Sequence, residues 1–572
     1  MRVCGLIMDY ELRIKEMKMK TFIKSSMWLV AVGLLTACAS EDTQQKDGTK
    51  QSETKYVATF TGHQPNSNSS AKSRTTATHT LGNPAQVIWE ATDRIWVKAD
   101  DGRFYQSEAA NFAASATPAD HSRANFHLSQ GYYATTTPEV RYVGTSTNAD
   151  RVTIAATQTQ ASPNDFSHLG AAGDCGTATA HSGALAAGDY EFTLQHKASY
   201  LCFVPRCMNT QLGPNIKLTK IVVTADKPIA GIYDFSDGSL MGKTPTGGSN
   251  TITLNVGGAN DFSLNTTMEN LAMNGAYMVI APGTYNLTVT YTINDPSTGV
   301  SMDIVKQLPA WNNKPGEIRD ITANLTPAAH IAMPEFYLWD AVNPYWHGYE
   351  NERPSINQGQ PGATKGPHYP QSSSDPQQRW YHTTGSGGHT ATHSCSIAPN
   401  VNEMCWYAML GDPHWQDGTP AAKDGHLVIQ PGGIWLKKKA AIIRDNPGIF
   451  PGNDAAGRFF SGFPVDKNPN SPTSSDRDWR TETVASFPFS SKTTRALTSN
   501  PLPNVSDYFF LPAAGEFYDG WLALRGQQGT YWSSSSYPYS NTAAYMFYLY
   551  NGYVGVTNPT RNIAGTAVRA FE

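Results

Sequence analysis

A series of short apolar-rich segments, some alternating and some continuous, each closed by turn residues, limits what this chain can fold into more than any other feature. Tyr190-Glu191-Phe192-Thr193-Leu194-Gln195-His196, Tyr200 to Val204, Ile216 to Val223, Ile252 to Val256, Ala276 to Ala281, Tyr285 to Ile293 and Gly316 to Leu325 follow one another, with Gly, Pro, Asn and Asp between them. Apolar/polar alternation places every second side chain on one face of a strand, and regular spacing of such strands is the signature of a β-sandwich. Thr326-Pro327 ends the series, which predicts a boundary near residue 330. Charged residues make up only 16% of the chain, while 48 Gly and 36 Pro punctuate it, a balance that favours turn-rich β structure. At 572 residues the chain exceeds one ordinary core, so several folded units are expected. The formal charge of −4 and the lack of a basic run leave no surface for neutralising phosphates, which excludes nucleic acid as an expected partner.

The N-terminal stretch predicts location. Lys18, Lys20 and Lys24 flank an apolar run from Met27 to Leu35 that is too short to span a bilayer stably, and Leu35-Thr36-Ala37 leads directly into Cys38. The charges before Met17 do not suit a leader, so Met17 or Met19 is the expected true start of a signal covering residues 1–38. Leu-Thr-Ala-Cys resembles the bacterial lipobox, which implies acylation of Cys38, attachment to the outer membrane by two acyl chains, and export to the cell surface. Residues 39–54 are polar without an apolar period and read as a disordered tether.

Tyr56-Val57-Ala58-Thr59-Phe60-Thr61 then alternates as a strand, with Tyr56, Ala58 and Phe60 on one face, before a second polar stretch from Gln64 to Ser73. Polar segments on both sides would let this strand leave its sheet without unfolding the rest, and it is expected as a removable edge plug. Arg74, at the end of the polar stretch, is accessible to a protease by the same reasoning, although a solvated loop arginine has the same sequence appearance. Val87 to Glu90 and Arg94 to Val97 read as a strand pair.

Beyond residue 330 the composition changes. Nine of the thirteen tryptophans fall between Trp339 and Trp532. Asn400 followed by Glu403 predicts a capping box for a helix over Val401 to Leu410, and Asn551-Gly552 predicts a hairpin turn.

Residues 55–326 resemble the fimbrillin family of Bacteroidetes surface lipoproteins. The resemblance is carried by Val57-Ala58-Thr59-Phe60-Thr61, Ser73-Arg74-Thr75-Thr76, Ile88 to Val97, Lys227-Pro228-Ile229-Ala230-Gly231 and Gly316 to Leu325. It implies a β-sandwich in two subdomains, divided near residue 185. It further implies assembly in which cleavage at Arg74 removes the first strand and a strand from another fimbrial subunit takes its place. Residues 333–572 are similar to a repeat family of Bacteroidetes and Fibrobacter surface proteins with a C-type lectin-like, sulfatase-modifying-factor-like fold. The phrases are Pro399 to Glu403, Trp406-Tyr407, Gly411 to Trp415, Phe509 to Gly515, Gly529 to Ser535 and Gly565 to Arg569. Glu-Pro-Asn, Gln-Pro-Asp and Trp-Asn-Asp are absent, so a calcium-held sugar is not implied. Trp346, Trp415, Tyr537 and Tyr539 are the candidate residues for stacking on a glycan or host-surface ligand. The last strand, Ala567 to Phe571, reads as part of the terminal fold rather than as a donor, which favours a tip or accessory subunit.

Enzymatic patterns are weak. His382, His389, His393 and Cys395 lie close together, but Gly385, Gly387 and Gly388 make the segment a loop, in which the four-residue spacing of His389 and His393 has no helical meaning. No metal or other cofactor is expected. Cys202 with Cys207, or Cys395 with Cys405, can pair in an oxidising compartment or remain buried thiols. The expectation is a mostly β, non-enzymatic surface lipoprotein, a two-part sandwich followed by an α+β lectin-like domain, acting in adhesion as a pilus subunit. Two alternatives stay open: a permanently lipid-anchored binder of glycan or host ligand that never polymerises, and an enzyme using the C-terminal domain.

Overall fold

In the computed structural model, which describes residues 56–65, 79–85, 87–113, 121–183, 188–258, 261–382, 388–450, 478–481, 494–498, 501–560 and 564–572, the alternation around Phe60 becomes the strand Ala58–His63 (β1). Cys38, Arg74, the leader and the tether lie outside the described residues. Ala58, Phe60 and Gly62 point inward and Thr59, Thr61 and His63 outward, as a period of two requires. β1 joins Arg123–Leu128 (β2), Asp189–Thr193 (β3) and His181–Ser182 in a four-stranded sheet, ordered β2-β1-β3 and then His181–Ser182. A five-stranded sheet that includes Trp96–Lys98, Glu139–Tyr142 and Gly176–Thr179 supplies the opposing layer, and Phe60, Trp89, Val97, Phe126, Val140 and Phe192 fill the space between the two.

The strand pair expected over residues 87–97 is only half formed. Val87 to Glu90 is loop, and pairing begins at Trp96. The reason is a local competitor for the backbone: Asp93 Oδ2 accepts the Glu90 N–H at 2.8 Å and Ser107 Oγ accepts the Ile95 N–H at 3.0 Å, so the segment turns while Trp89 drops into the core.

A second core begins with Ser199–Arg206 (β4), whose first seven residues are buried because both of its faces are covered. It lies between Ala276–Ile280 (β5), antiparallel, and Ile318–Asn324 (β6), parallel. The free edge of β5 is closed by side chains. The Gln158 amide accepts from Val279 N at 2.9 Å and donates to Val279 O at 2.7 Å, and Gln160 does the same for Tyr277 N at 2.7 Å and Gly275 O at 2.9 Å. Two glutamines thus replace a neighbouring strand. A larger sheet built on Lys217–Ala225, Gly283–Asp295 and Val300–Asn313 packs on this layer. Thr157–Gln160 belongs to that sheet, whereas Gly176–Thr179, Asp189–Thr193 and Gln195–His196 return to the sheets of the first core. The chain therefore crosses between the two halves more than once and does not divide at a single point near residue 185.

In the region after residue 330, the helix Val401–Leu410 (α1) starts at Asn400 with the full capping box: Asn400 Oδ1 accepts from Glu403 N and Glu403 Oε2 accepts from Asn400 N, each at 3.0 Å. It covers a sheet containing Gln528–Ser536, Ala544–Tyr550, Tyr553–Thr557 and Ala564–Ala567, with Asn551-Gly552 at the predicted turn. The hairpin Pro420–Lys423 (β7) and His426–Ile429 (β8) departs from this unit, since Ala422 and Leu427 bury themselves in the second sandwich core. Among the described residues the five cysteines are free and buried, so neither candidate pair is bridged.

Candidate strand-exchange groove

β1 is not an edge strand, and this corrects the expectation from sequence. It pairs antiparallel with β2 from Ala58–Leu128 to His63–Arg123 and parallel with β3 from Thr59–Asp189 to His63–Thr193, so both rows of its backbone groups are engaged. The sequence pattern could not distinguish the two positions, because alternation reports which face is buried and says nothing about how many neighbours a strand has.

Each inward residue of β1 occupies a distinct environment. Phe60 is fully buried, stacked on Tyr190 at 4.6 Å between ring centroids and edge-on to Tyr133 at 5.6 Å. Gly62 sits where a Cβ would come 2.5 Å from Phe192 Cζ, so any side chain there must displace that ring, and its carbonyl accepts from the Trp89 indole N–H at 3.2 Å. Outward, Thr61 Oγ1 donates to Asn125 Oδ1 at 2.9 Å, Thr59 Oγ1 lies 3.1 Å from His127 Nδ1, and Tyr56 stacks on His127 at 4.3 Å. Beyond β1, Gln64 is buried with its Oε1 2.9 Å from His196 Nε2, and the surface there opens into a polar cleft of about 1030 Å³ bordered by His63, His181, Glu191 and Lys197.

The turn that seats Trp89 beneath β1 is held by Asp93, whose Oδ1 accepts the Tyr142 hydroxyl at 2.8 Å. Burial pushes the Asp93 carboxyl up to about 6 against the opposing pull of the Glu90 and Tyr142 hydrogen bonds.

Residues 79–85 form a separate anchor. His79, whose side chain is fully buried, places Nε2 2.6 Å from Asp320 Oδ1, and the Gly82 N–H donates to Asp320 Oδ2 at 2.6 Å. Asp320 is on β6, in the second half of the sandwich. β1 and residues 79–85 are thus fastened to different cores by different contacts. Sequence reasoning missed this anchor; a lone histidine among Thr and Ala carries no local signal.

No family model and no curated protein matches the chain. Among solved structures, it is similar to a candidate cell-adhesion protein from Bacteroides ovatus (14% identity, 47% of this chain and 92% of that one, TM-score 0.28). It is also similar to one from Bacteroides fragilis (9% identity, 47% and 88%, TM-score 0.25) and to the fimbrial anchor protein Mfa2 from Porphyromonas gingivalis (9% identity, 44% and 82%, TM-score 0.19).

The proposed ligand-stacking aromatics separate into two groups. Trp346 and Tyr537 are core residues, 4% and 3% exposed, because Trp346 packs on Tyr345 and Phe517 and Tyr537 packs on Tyr545; both are removed from the set. Trp415 is half-buried with its indole N–H donated to Asp417 Oδ1 at 2.8 Å, and Tyr539 is 58% exposed. Cys395 is fully buried, its sulfur accepting the Asp340 N–H at 3.1 Å, and burial drives its thiol far above the ordinary range, so it is no nucleophile.

Proposed function

We propose that this protein is a cell-surface fimbrial subunit, at the tip or in an accessory position, that accepts a strand from a neighbouring subunit in place of β1 and serves in adhesion. The observation that carries the reading is the position of β1, a six-residue strand set between β2 and β3. Its loss leaves a slot of about two strand spacings, roughly 10 Å, bordered by two rows of unpaired backbone groups. A strand entering that slot regains the hydrogen bonds, and the Phe60 and Gly62 positions set its register: a large apolar residue, one outward residue, then glycine. Cleavage at Arg74 and acylation of Cys38 belong to this reading. The His79–Asp320 anchor supports it, since it keeps the chain after the cut attached to the sandwich.

The tip or accessory position is supported by Ala564–Ala567, which lies inside its own sheet, and by Phe571, which packs on Tyr407, Phe509, Tyr531 and Phe547, so that this segment is not available for donation. The C-type lectin-like reading of residues 333–572 supplies the adhesive part, with Tyr539 and Trp415 as the candidate aromatics for a glycan or host-surface ligand.

A disulfide lock tests the exchange. Thr61 and Asn125 face each other across β1 and β2, so T61C with N125C places two thiols at bridging distance. The oxidised double variant is expected to reach the cell surface but not to enter fimbriae, and reduction is expected to restore assembly. Equal incorporation of the locked form would defeat strand exchange.

A further inference from the structure

The structure draws together three metal-ligating side chains that the sequence scatters. Asp340 follows the buried Trp339, whereas His382 and His393 come from the segment in which the sequence places them beside His389 and Cys395 and far from Asp340. Ligand atoms of Asp340, His382 and His393 all lie within 4.8 Å of one another. His393 Nδ1 is 3.5 Å from Asp340 Oδ2, and the His382 and His393 rings are 5.1 Å apart, tilted by 42°. Two ligands bound at about 2.1 Å with a tetrahedral angle stand about 3.4 Å apart, so the histidine–carboxylate spacing already suits an ion.

The carboxylate is also oriented in advance. Asp340, 1% exposed, accepts backbone N–H groups from His393 at 2.8 Å and Cys395 at 3.1 Å on Oδ1, and from Thr392 at 2.7 Å on Oδ2. Such bonds hold a metal-binding carboxylate in place and leave a lone pair of Oδ2 for a cation. His382 is half-buried and His393 exposed, so an ion can enter from solvent. The other three-ligand group among the described residues, His79, Cys202 and Asp320, differs on this point: its histidine and carboxylate are 2.6 Å apart, a direct hydrogen bond with no room for an ion between them.

We propose that Asp340, His382 and His393 bind one Zn²⁺-class divalent ion that pins the segment around His393 to the Trp339–Asp340 turn. Two imidazoles and a carboxylate suit a borderline N/O-binding metal, and three protein ligands leave a position for water or for an oxygen of an outside ligand. The test uses the full chain without a histidine tag, equilibrated with Zn²⁺, passed into metal-free buffer and analysed for metal, alongside thermal unfolding with and without Zn²⁺. About one zinc per chain and a Zn²⁺-dependent rise in melting temperature are expected for the parent. H382Q and H393Q should each weaken zinc binding at least about tenfold and abolish the rise, while melting without metal stays unchanged. The proposal is overturned if the parent retains no zinc, or if the double variant H382Q/H393Q retains as much as the parent.

Discussion

Phe60→Ala in the uncut chain is expected to lower the stability of the first sandwich core by about 3–5 kcal/mol, the usual cost of removing a fully buried aromatic. The residue has no exposed surface and takes part in two ring contacts, with Tyr190 and Tyr133, so its loss leaves a cavity at the centre of β1. Gly62→Val should add a second defect of a different kind. Its Cβ meets the Phe192 ring at 2.5 Å, an overpacking that typically costs about 1–3 kcal/mol. Urea unfolding followed by amide hydrogen exchange of the peptide containing Trp89, which lies against Phe126 and donates to the Gly62 carbonyl, reports both. If both variants unfold with the parent, β1 contributes little to that core, and its departure would leave no slot worth filling.

A large effect is also expected far from β1. Leu427→Ala should cost about 2–5 kcal/mol, although Leu427 belongs to the unit after residue 330, because its side chain is fully buried in the second sandwich core. The hairpin β7–β8 is held there by polar contacts as well. Asp295, with no side-chain exposure, accepts the Leu427 N–H at 3.0 Å and lies 3.0 Å from His426 Nδ1, and Asn215 Nδ2 donates to the Gly425 carbonyl at 2.8 Å. The consequence reaches the adhesion reading: residues 333–572 cut out as a fragment would expose Leu427 and leave the hairpin without its partners. Ligand binding should therefore be measured on the whole chain. Differential scanning calorimetry of Leu427→Ala checks the coupling, and an unshifted transition would show that the hairpin is only a surface contact.

Several strands with a strong apolar pattern were legible because that pattern is a local signal. The segment around Phe60, β4 and β5, the α1 capping box and the Asn551-Gly552 turn all follow from residues within a few positions of one another. Placement across the sheet was not legible. The edge position expected for β1 gives way to a central one because β3, more than a hundred residues later, supplies the second neighbour. Val300–Asn313, the strand at the end of its sheet, went unread although Val300, Met302, Ile304 and Leu308 alternate with exposed residues and pack half-buried against the second core. Aromatic content marked the region after residue 330 but could not separate the buried Trp346 and Tyr537 from the exposed Tyr539. Asp340 shows the same limit for chemistry, because its relation to His382 and His393 is created by the fold alone.

The most direct test of the account is the N-terminus of the protein recovered from purified fimbriae, read by mass spectrometry together with the total surface-exposed pool. Strand exchange predicts that the assembled molecules begin at Thr75 and lack β1, while acylated Cys38 species are confined to the unassembled pool. Fimbriae whose copies of this chain still carry the peptide containing Phe60 within the intact chain would contradict it.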